Sequence, residues 1–225
     1  MVGANGTVYG TPNDFKLQEA KKRYGLSDDC LFHNFDEFVA SGRSCDFVVN
    51  ATMDQYHYET AMKILNAGYD MLMEKPIVPS GEQLMDIANL AKEKGAKVFV
   101  CHVLRYTPFY RTIKELLNKG AIGEIMTMEL NEHVCRPHFL SSYVRGKWNS
   151  EEACGSGFLL AKSCHDMDLI CWLNNESVPT KVASFGNRSR FLPKNAPEGA
   201  AEFCQDCKYE KECPYSAVDL YLEKN

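Results

Sequence analysis

The sequence predicts an α/β protein built on a parallel sheet, and three observations carry that expectation. Three short apolar runs, CDFVVNA from Cys45, DMLM at 70–73 and KVFVC at 97–101, are each followed by a polar turn and an amphipathic helical stretch. Strand followed by helix, repeated three times, is the rhythm of parallel strands joined by helical crossovers. The composition agrees: 225 residues, 45% hydrophobic and 24% charged, with 15 Gly and 9 Pro, describe a globular chain long enough for one domain and part of a second.

The elements follow in order. NDFKLQEAKKRY at 13–24 spaces Phe15, Leu17, Ala20 and Tyr24 between charged residues, and Gly25 suits a C-terminal cap, so a surface helix is expected. The apolar piece CLF at 30–32 leads into DEFVASG at 36–42, a one- or two-turn helix ended by Gly42. Cys45–Asn50 is the first strand of the regular part, and QYHYETAMKILNAG its helix. The run at 70–75 ends at Pro76. Ser80 with Gln83 three residues later has the spacing of a capping box for the helix to Gly95. After the third strand, Thr107 and Pro108 place a cap and a proline at the start of FYRTIKELLNKG.

Near Gly120 the rhythm changes, which divides the chain at 1–119 and 120–225. GEIMTMELNEHV at 123–134 alternates roughly and VPTKVASFGN at 178–187 is a second strand candidate. Between them lie a Pro/Gly/Ser-containing loop to Gly157 and a helix over 162–174.

Charge and targeting signals narrow the function. With 25 Lys+Arg against 30 Asp+Glu the net charge is −5, which offers no broad positive field for nucleic acid. No stretch reaches the roughly 18–20 apolar residues that span a bilayer, and MVGANGTVYG lacks the basic and apolar parts of a secretion signal, so a cytoplasmic location is expected. The ten cysteines are scattered and not arranged as a secreted framework, and reduced thiols are expected.

In a parallel sheet the C-terminal strand ends lie side by side, so Asn50, Thr52, Glu74, Lys75, His102 and Arg105 are expected along one crevice. Lys75 can donate to a substrate hydroxyl, with Glu74 tuning it and Pro76 fixing the turn. The same three residues equally suit a plain polar turn, and Asn50 and Thr52 suit capping. His57 sits in the first turns of a helix, where a hydrogen-bonded surface histidine is the alternative. Lys162, His165 and Asp168 are spaced by three and share a helix face, so Asp168 can orient His165 for proton transfer. Cys204, Cys207 and Cys213 provide three thiols, one short of a zinc set, and a structural metal is not expected. P-loop, HExxH, GxSxG and EF-hand patterns are absent.

Glu74-Lys75-Pro76, the preceding NATMDQYHYETAMKILNAGYDMLM and the later KSCHDMDLICWL together resemble the glucose-fructose oxidoreductase/inositol dehydrogenase (Gfo/Idh/MocA) family, over about residues 11–220. The resemblance implies a Rossmann-like dinucleotide-binding domain, here 1–119 and incomplete. It also implies, at 120–225, the start of an α+β substrate and oligomerisation domain with an open, mainly antiparallel sheet. It implies hydride transfer between NAD or NADP and a sugar, polyol or cyclitol, and self-association through the second sheet. Lys75 and His165 take the catalytic places. Asn50, Thr52, His57, Glu74, Lys75, Pro76 and Arg105 fall near the cofactor, and His102, Lys162 and Asp168 join Lys75 and His165 near the substrate.

Two departures from the family pattern bear on activity. Ala161 stands four residues before His165, where an Asp often lies, with Lys162 beside it. GANG at 3–6 is not GxGxxG, and the resemblance begins after that turn, so weak or absent dinucleotide binding is expected unless another chain supplies the surface. A shortened homologue that binds a ligand or partner without turnover, and a cysteine-ligated metal or redox module, are the alternatives.

Overall fold

A computed structural model describes residues 9–42, 45–174 and 176–223, so GANG at 3–6 lies outside the described residues. The N-terminal part holds strands β1 (Tyr9–Gly10), β2 (Leu31–Phe32), β3 (Phe47–Asn50), β4 (Asp70–Met73) and β5 (Val98–Val100). Helices α1 (Asp14–Tyr24), α2 (Phe35–Ala40), α3 (His57–Asn66), α4 (Gly81–Lys94) and α5 (Pro108–Asn118) alternate with them. The strands form two parallel sheets. One is the pair β1-β2 and the other is ordered β3-β4-β5, with Val48 opposite Met71 and Met71 opposite Val98.

That register sorts the side chains. Val48, Met71 and Met73 lie on the face covered by α3 and α4, where Ala61, Ile64, Leu65, Ile87 and Ala91 complete a buried cluster with Val78. Val49, Leu72 and Phe99 are the neighbouring residues along the same strands and point the other way, because side chains alternate along a strand. Phe99 remains 57% exposed. A smaller aromatic cluster joins the two sheets: Phe32 and Phe38 stack edge to face at 5.6 Å, with Phe35 and Tyr69 against them.

Local chemistry explains the helix ends. Asn13 caps α1 through its side chain, which accepts from Lys16 N, and Gly25 ends it at φ 64°. Thr107 Oγ1 accepts from Tyr110 N at the start of α5, with Pro108 in the first turn. The capping box expected at α4 does not form: Ser80 makes no side-chain cap bond and Gln83 Oε1 is buried without a partner.

The second part corrects the expected fold class. Among the described residues no strand follows Val100, so the open, mainly antiparallel sheet is replaced by helices and irregular chain. Residues 123–134 and 178–187 join no sheet among the described residues, with Met126 85%, Val182 87% and Phe185 96% exposed. A strand needs a neighbouring ladder for its amides and carbonyls, and alternation without such a partner does not make one. The sheet through which self-association was expected is therefore not found among the described residues.

The expected long loop contains structure instead. Pro137 stands in the first turn of α6 (Arg136–Phe139), which runs into a π turn at Leu140–Val144. Ser150 caps α7 (Glu151–Cys154) by accepting from Ala153 N. The long helix α8 (Phe158–Leu173) begins four residues earlier than its sequence pattern suggested. Gly155 needs its glycine, because φ is 76° and an added Cβ would lie 2.8 Å from the Gln55 backbone.

Candidate functional site

The site is assembled where the ends of β4 and β5 meet α8. Lys75, just past β4, donates from Nζ to the Ala161 carbonyl of α8 at 3.0 Å. An ammonium has three donors, so two remain for a ligand. The Lys75 amide takes Glu74 Oε2 at 3.1 Å, and the Lys75–Pro76 peptide is cis. The turn after β5 brings His102 and Arg105 to the same helix.

Asp168 on α8 organises the far wall. Arg105 donates from Nε to Oδ2 at 2.7 Å and from a terminal nitrogen to Oδ1 at 2.5 Å, a bidentate pair. His102 Nδ1 lies 2.8 Å from the same Oδ1, and the Asp168 side chain is only 6% exposed. Asp168 therefore serves Arg105 and His102, whereas the three-residue spacing had suggested His165. The His165 ring stands edge to face against His102 at 6.1 Å, and its Nδ1 is buried without a hydrogen-bond partner among the described residues.

Electrostatics follow from this packing. Burial pushes His165 below the ordinary imidazole value, and Lys75, His102 and Lys162 push it further down while Asp166 opposes them. Burial also lowers His102, against the pull of Asp168 and with Arg105 and Lys75 adding to the lowering. Burial raises the Asp166 carboxyl, and Glu132 adds to the rise. Lys162 Nζ pairs with Glu132 Oε1 at 3.1 Å, which ties the irregular chain before α6 to the site.

The residues expected nearest the dinucleotide split into two groups. Thr52 is exposed at the strand end, with Oγ1 donating to Asn50 Oδ1 at 2.9 Å. Asn50 is buried and donates to the His57 carbonyl at 3.3 Å. His57 is buried rather than a surface residue. Its Nδ1 faces the Pro76 carbonyl at 2.8 Å and its Nε2 the Thr52 carbonyl at 3.0 Å. Asn50 and His57 thus fasten the loop after β3 to the loop after β4, while Lys75, His102, Arg105, His165 and Asp168 come together where the strand ends meet α8. A cleft of about 440 Å³ is bordered by Tyr9–Thr11, Asn34 and Asn50–Thr52.

Sequence reading missed Glu132, Asp166, the Ala161 carbonyl and the contact of Asp54 with Trp148 and Ser156. Asp54 Oδ2 accepts from Trp148 Nε1 at 3.0 Å and from Ser156 Oγ, so the segment before α8 is pinned to the start of α3. Asp166 is adjacent to His165 and was visible; a pairing across 94 positions left no local signal. Among the described residues no group of three or more His, Cys, Asp or Glu side chains is placed to hold a metal. Cys204, Cys207 and Cys213 are free thiols, and Cys204 Sγ accepts from the Ala217 amide at 3.4 Å. No helix among the described residues is long and apolar enough to cross a membrane.

Comparisons with known proteins cover both parts of the chain. A family model described as an oxidoreductase family with an NAD-binding Rossmann fold matches residues 8–102, and a GFO/IDH/MocA C-terminal domain model matches 110–204. A putative oxidoreductase, YteT, of Bacillus subtilis is 29% identical over 80% of this chain and 42% of its own length. The scyllo-inositol 2-dehydrogenase (NADP(+)) IolW of the same organism is 27% identical over 68% of this chain and 40% of its own. The chain thus spans less than half the length of these relatives. The crystal structure of myo-inositol 2-dehydrogenase from Lactobacillus plantarum superposes with a TM-score of 0.62, covering 75% of this chain and 48% of that one at 20% identity, which is a likeness of fold.

Proposed function

We propose, for a chain that matches the Gfo/Idh/MocA oxidoreductase family in both its N-terminal and C-terminal parts, that it carries the reacting end of an NAD(P)-dependent oxidoreductase acting on a hydroxyl of a sugar, polyol or cyclitol. The observation that carries this reading is the meeting of Lys75, with two free donors, and His165, with an unpartnered buried Nδ1, at the C-terminal ends of parallel strands. An orphaned polar atom beside a cation is a place for a hydroxyl-bearing ligand. The residues present fit the nicotinamide and substrate end of such a complex, with Thr52, Glu74, Lys75 and Pro76 along its wall.

When bound, the nicotinamide ring supplies the two-electron acceptor for the hydride that leaves the carbinol carbon. Lys75 donates hydrogen bonds to the substrate oxygen and stabilises the negative charge that develops on it. His165, held neutral by burial and by the surrounding cations, accepts the hydroxyl proton as the carbonyl forms. In the reverse direction the protonated ring returns it. Asn50 and His57 act as positioning residues, because their bonds hold the Thr52 and Pro76 loops in place. Arg105 and Asp168 fix the wall on which His102 stands, and Lys162, held by Glu132, adds positive charge beside His165.

Replacing Lys75 with Ala tests the assignment. Hydride transfer, followed as NADH or NADPH absorbance with a panel of inositols and aldoses, is expected to fall by at least about 100-fold while dinucleotide affinity changes little, since one electrostatic donor commonly contributes that much. Equal turnover in the variant would remove Lys75 from the reaction.

A further inference from the structure

His102 is unusual in this site because it has what His165 lacks. Its Nδ1 rests 2.8 Å from a nearly buried carboxylate, Asp168 Oδ1, whereas His165 Nδ1 has no hydrogen-bond partner among the described residues. The two rings stand edge to face with centroids 6.1 Å apart and 71° between their planes, close enough that a proton on one opposes a proton on the other. We propose that His102 is a positioning residue that takes the first proton of this histidine pair beside Asp168 and thereby keeps His165 in its neutral, proton-accepting form.

The surrounding charges determine which ring is protonated first. His102 faces Asp168 and His165 from α8, Arg105 from its own turn and Lys75 from the loop after β4. His165 faces Lys75, His102 and Lys162, which oppose its charged form, and the Asp166 carboxylate, which favours it, and Lys162 is itself paired with Glu132. Arg105 shares Asp168 through two hydrogen bonds and weakens its pull, but of the two histidines it is His102 whose ring nitrogen lies within hydrogen-bond distance of that carboxylate. A carboxylate in contact favours the charged imidazole, while two nearby ammonium groups disfavour it. The proton therefore goes to His102 first, and the resulting imidazolium adds to the cations that keep His165 neutral. This deepens the hydride-transfer reading and rests on it for its use, although the protonation order can be measured without turnover.

The test is an NMR titration of the histidine ring nitrogens of the whole chain over roughly pH 4.5–8, the range in which imidazoles change charge. It compares the native sequence with His102→Asn, Asp168→Asn and His165→Asn. Asn at 102 keeps a donor for Asp168 and removes only the titrating group. The expected result is that His102 protonates at higher pH than His165, with a proton on Nδ1. In His102→Asn the His165 midpoint is expected to rise by about one pH unit, and in Asp168→Asn the His102 midpoint falls while that of His165 rises. If Asp168→Asn does not give a dispersed spectrum, His102→Gln provides the second variant, with the same expected rise at His165. The proposal is overturned if His165 protonates first in the native chain, or if its midpoint is unmoved in folded His102→Asn and His102→Gln. The expected titration in a chain that binds no dinucleotide would support this inference and count only against the hydride-transfer reading.

Discussion

At the scale of single residues, the lowered histidines make a prediction about pH. An imidazole whose folded value lies below the ordinary value of about 6.5 binds its proton more weakly in the native state than in the unfolded chain. Stability contributed by His102 and His165 is therefore fully present above that ordinary value and is lost as pH falls through the window beneath it. His33 is raised by Asp14 and Glu37, so its contribution is present below the ordinary value and is lost as pH rises through its own raised value. The useful comparison is thus between native chain and His165→Asn, which share His33. Urea midpoints measured at pH 7.5 and pH 5 should drop less on acidification in the variant. An equal drop would show that His165 is not held neutral by the fold.

At the scale of elements, the caps and the Gly155 contact give measurable costs. Thr107→Ala removes the hydroxyl that caps α5 and should lower stability by about 1 kcal/mol in a denaturant titration, because one amide loses its acceptor. Gly155→Ala should cost more, roughly 2 kcal/mol or above, since a left-handed φ is combined with a close approach to Gln55. Ile64→Ala opens a cavity between α3 and the sheet and should cost about 2–5 kcal/mol. A wild-type denaturation midpoint for Gly155→Ala would contradict the packing of α7 against the start of α3.

The same scale shows what was legible in the sequence. Asn13, Gly25, Thr107 and Pro108 announced helix ends because capping is settled within a few residues, and the apolar runs announced β3, β4 and β5 because Val48, Met71, Met73 and Val98 pack on the one cluster beneath α3 and α4. Ser80 with Gln83 had the correct spacing and still made no reciprocal bond. Residues 123–134 and 178–187 read as strands because alternation is visible locally, whereas a ladder partner is not. In the site, the strand ends brought Lys75, His102 and Arg105 together as expected. The partner of Asp168 depended on how α8 rotates against the turn after β5, and three-residue spacing alone could not decide it.

At the scale of the whole molecule, apolar surface remains on the uncovered face of the β3-β4-β5 sheet. Phe47 is 51% exposed and Phe99 57%, on strands whose opposite face packs on helices, and Tyr106 and Phe109 beyond β5 are 71% and 67% exposed. Apolar surface of this kind favours association. Sedimentation of the chain should show self-association that weakens in Phe99→Ser; a strictly monomeric chain at all concentrations would contradict this expectation.

A chain that carries the reacting end of an NAD(P)-dependent oxidoreductase must hold the dinucleotide, and calorimetric titration of the purified chain with NADH and with NADPH measures that binding. Saturable binding of at least one of them, with a dissociation constant below about 1 mM, is the predicted result, since ordinary KM values run from about micromolar to millimolar. The absence of saturable heat with both, in a chain shown to be folded by its NMR spectrum, would contradict it.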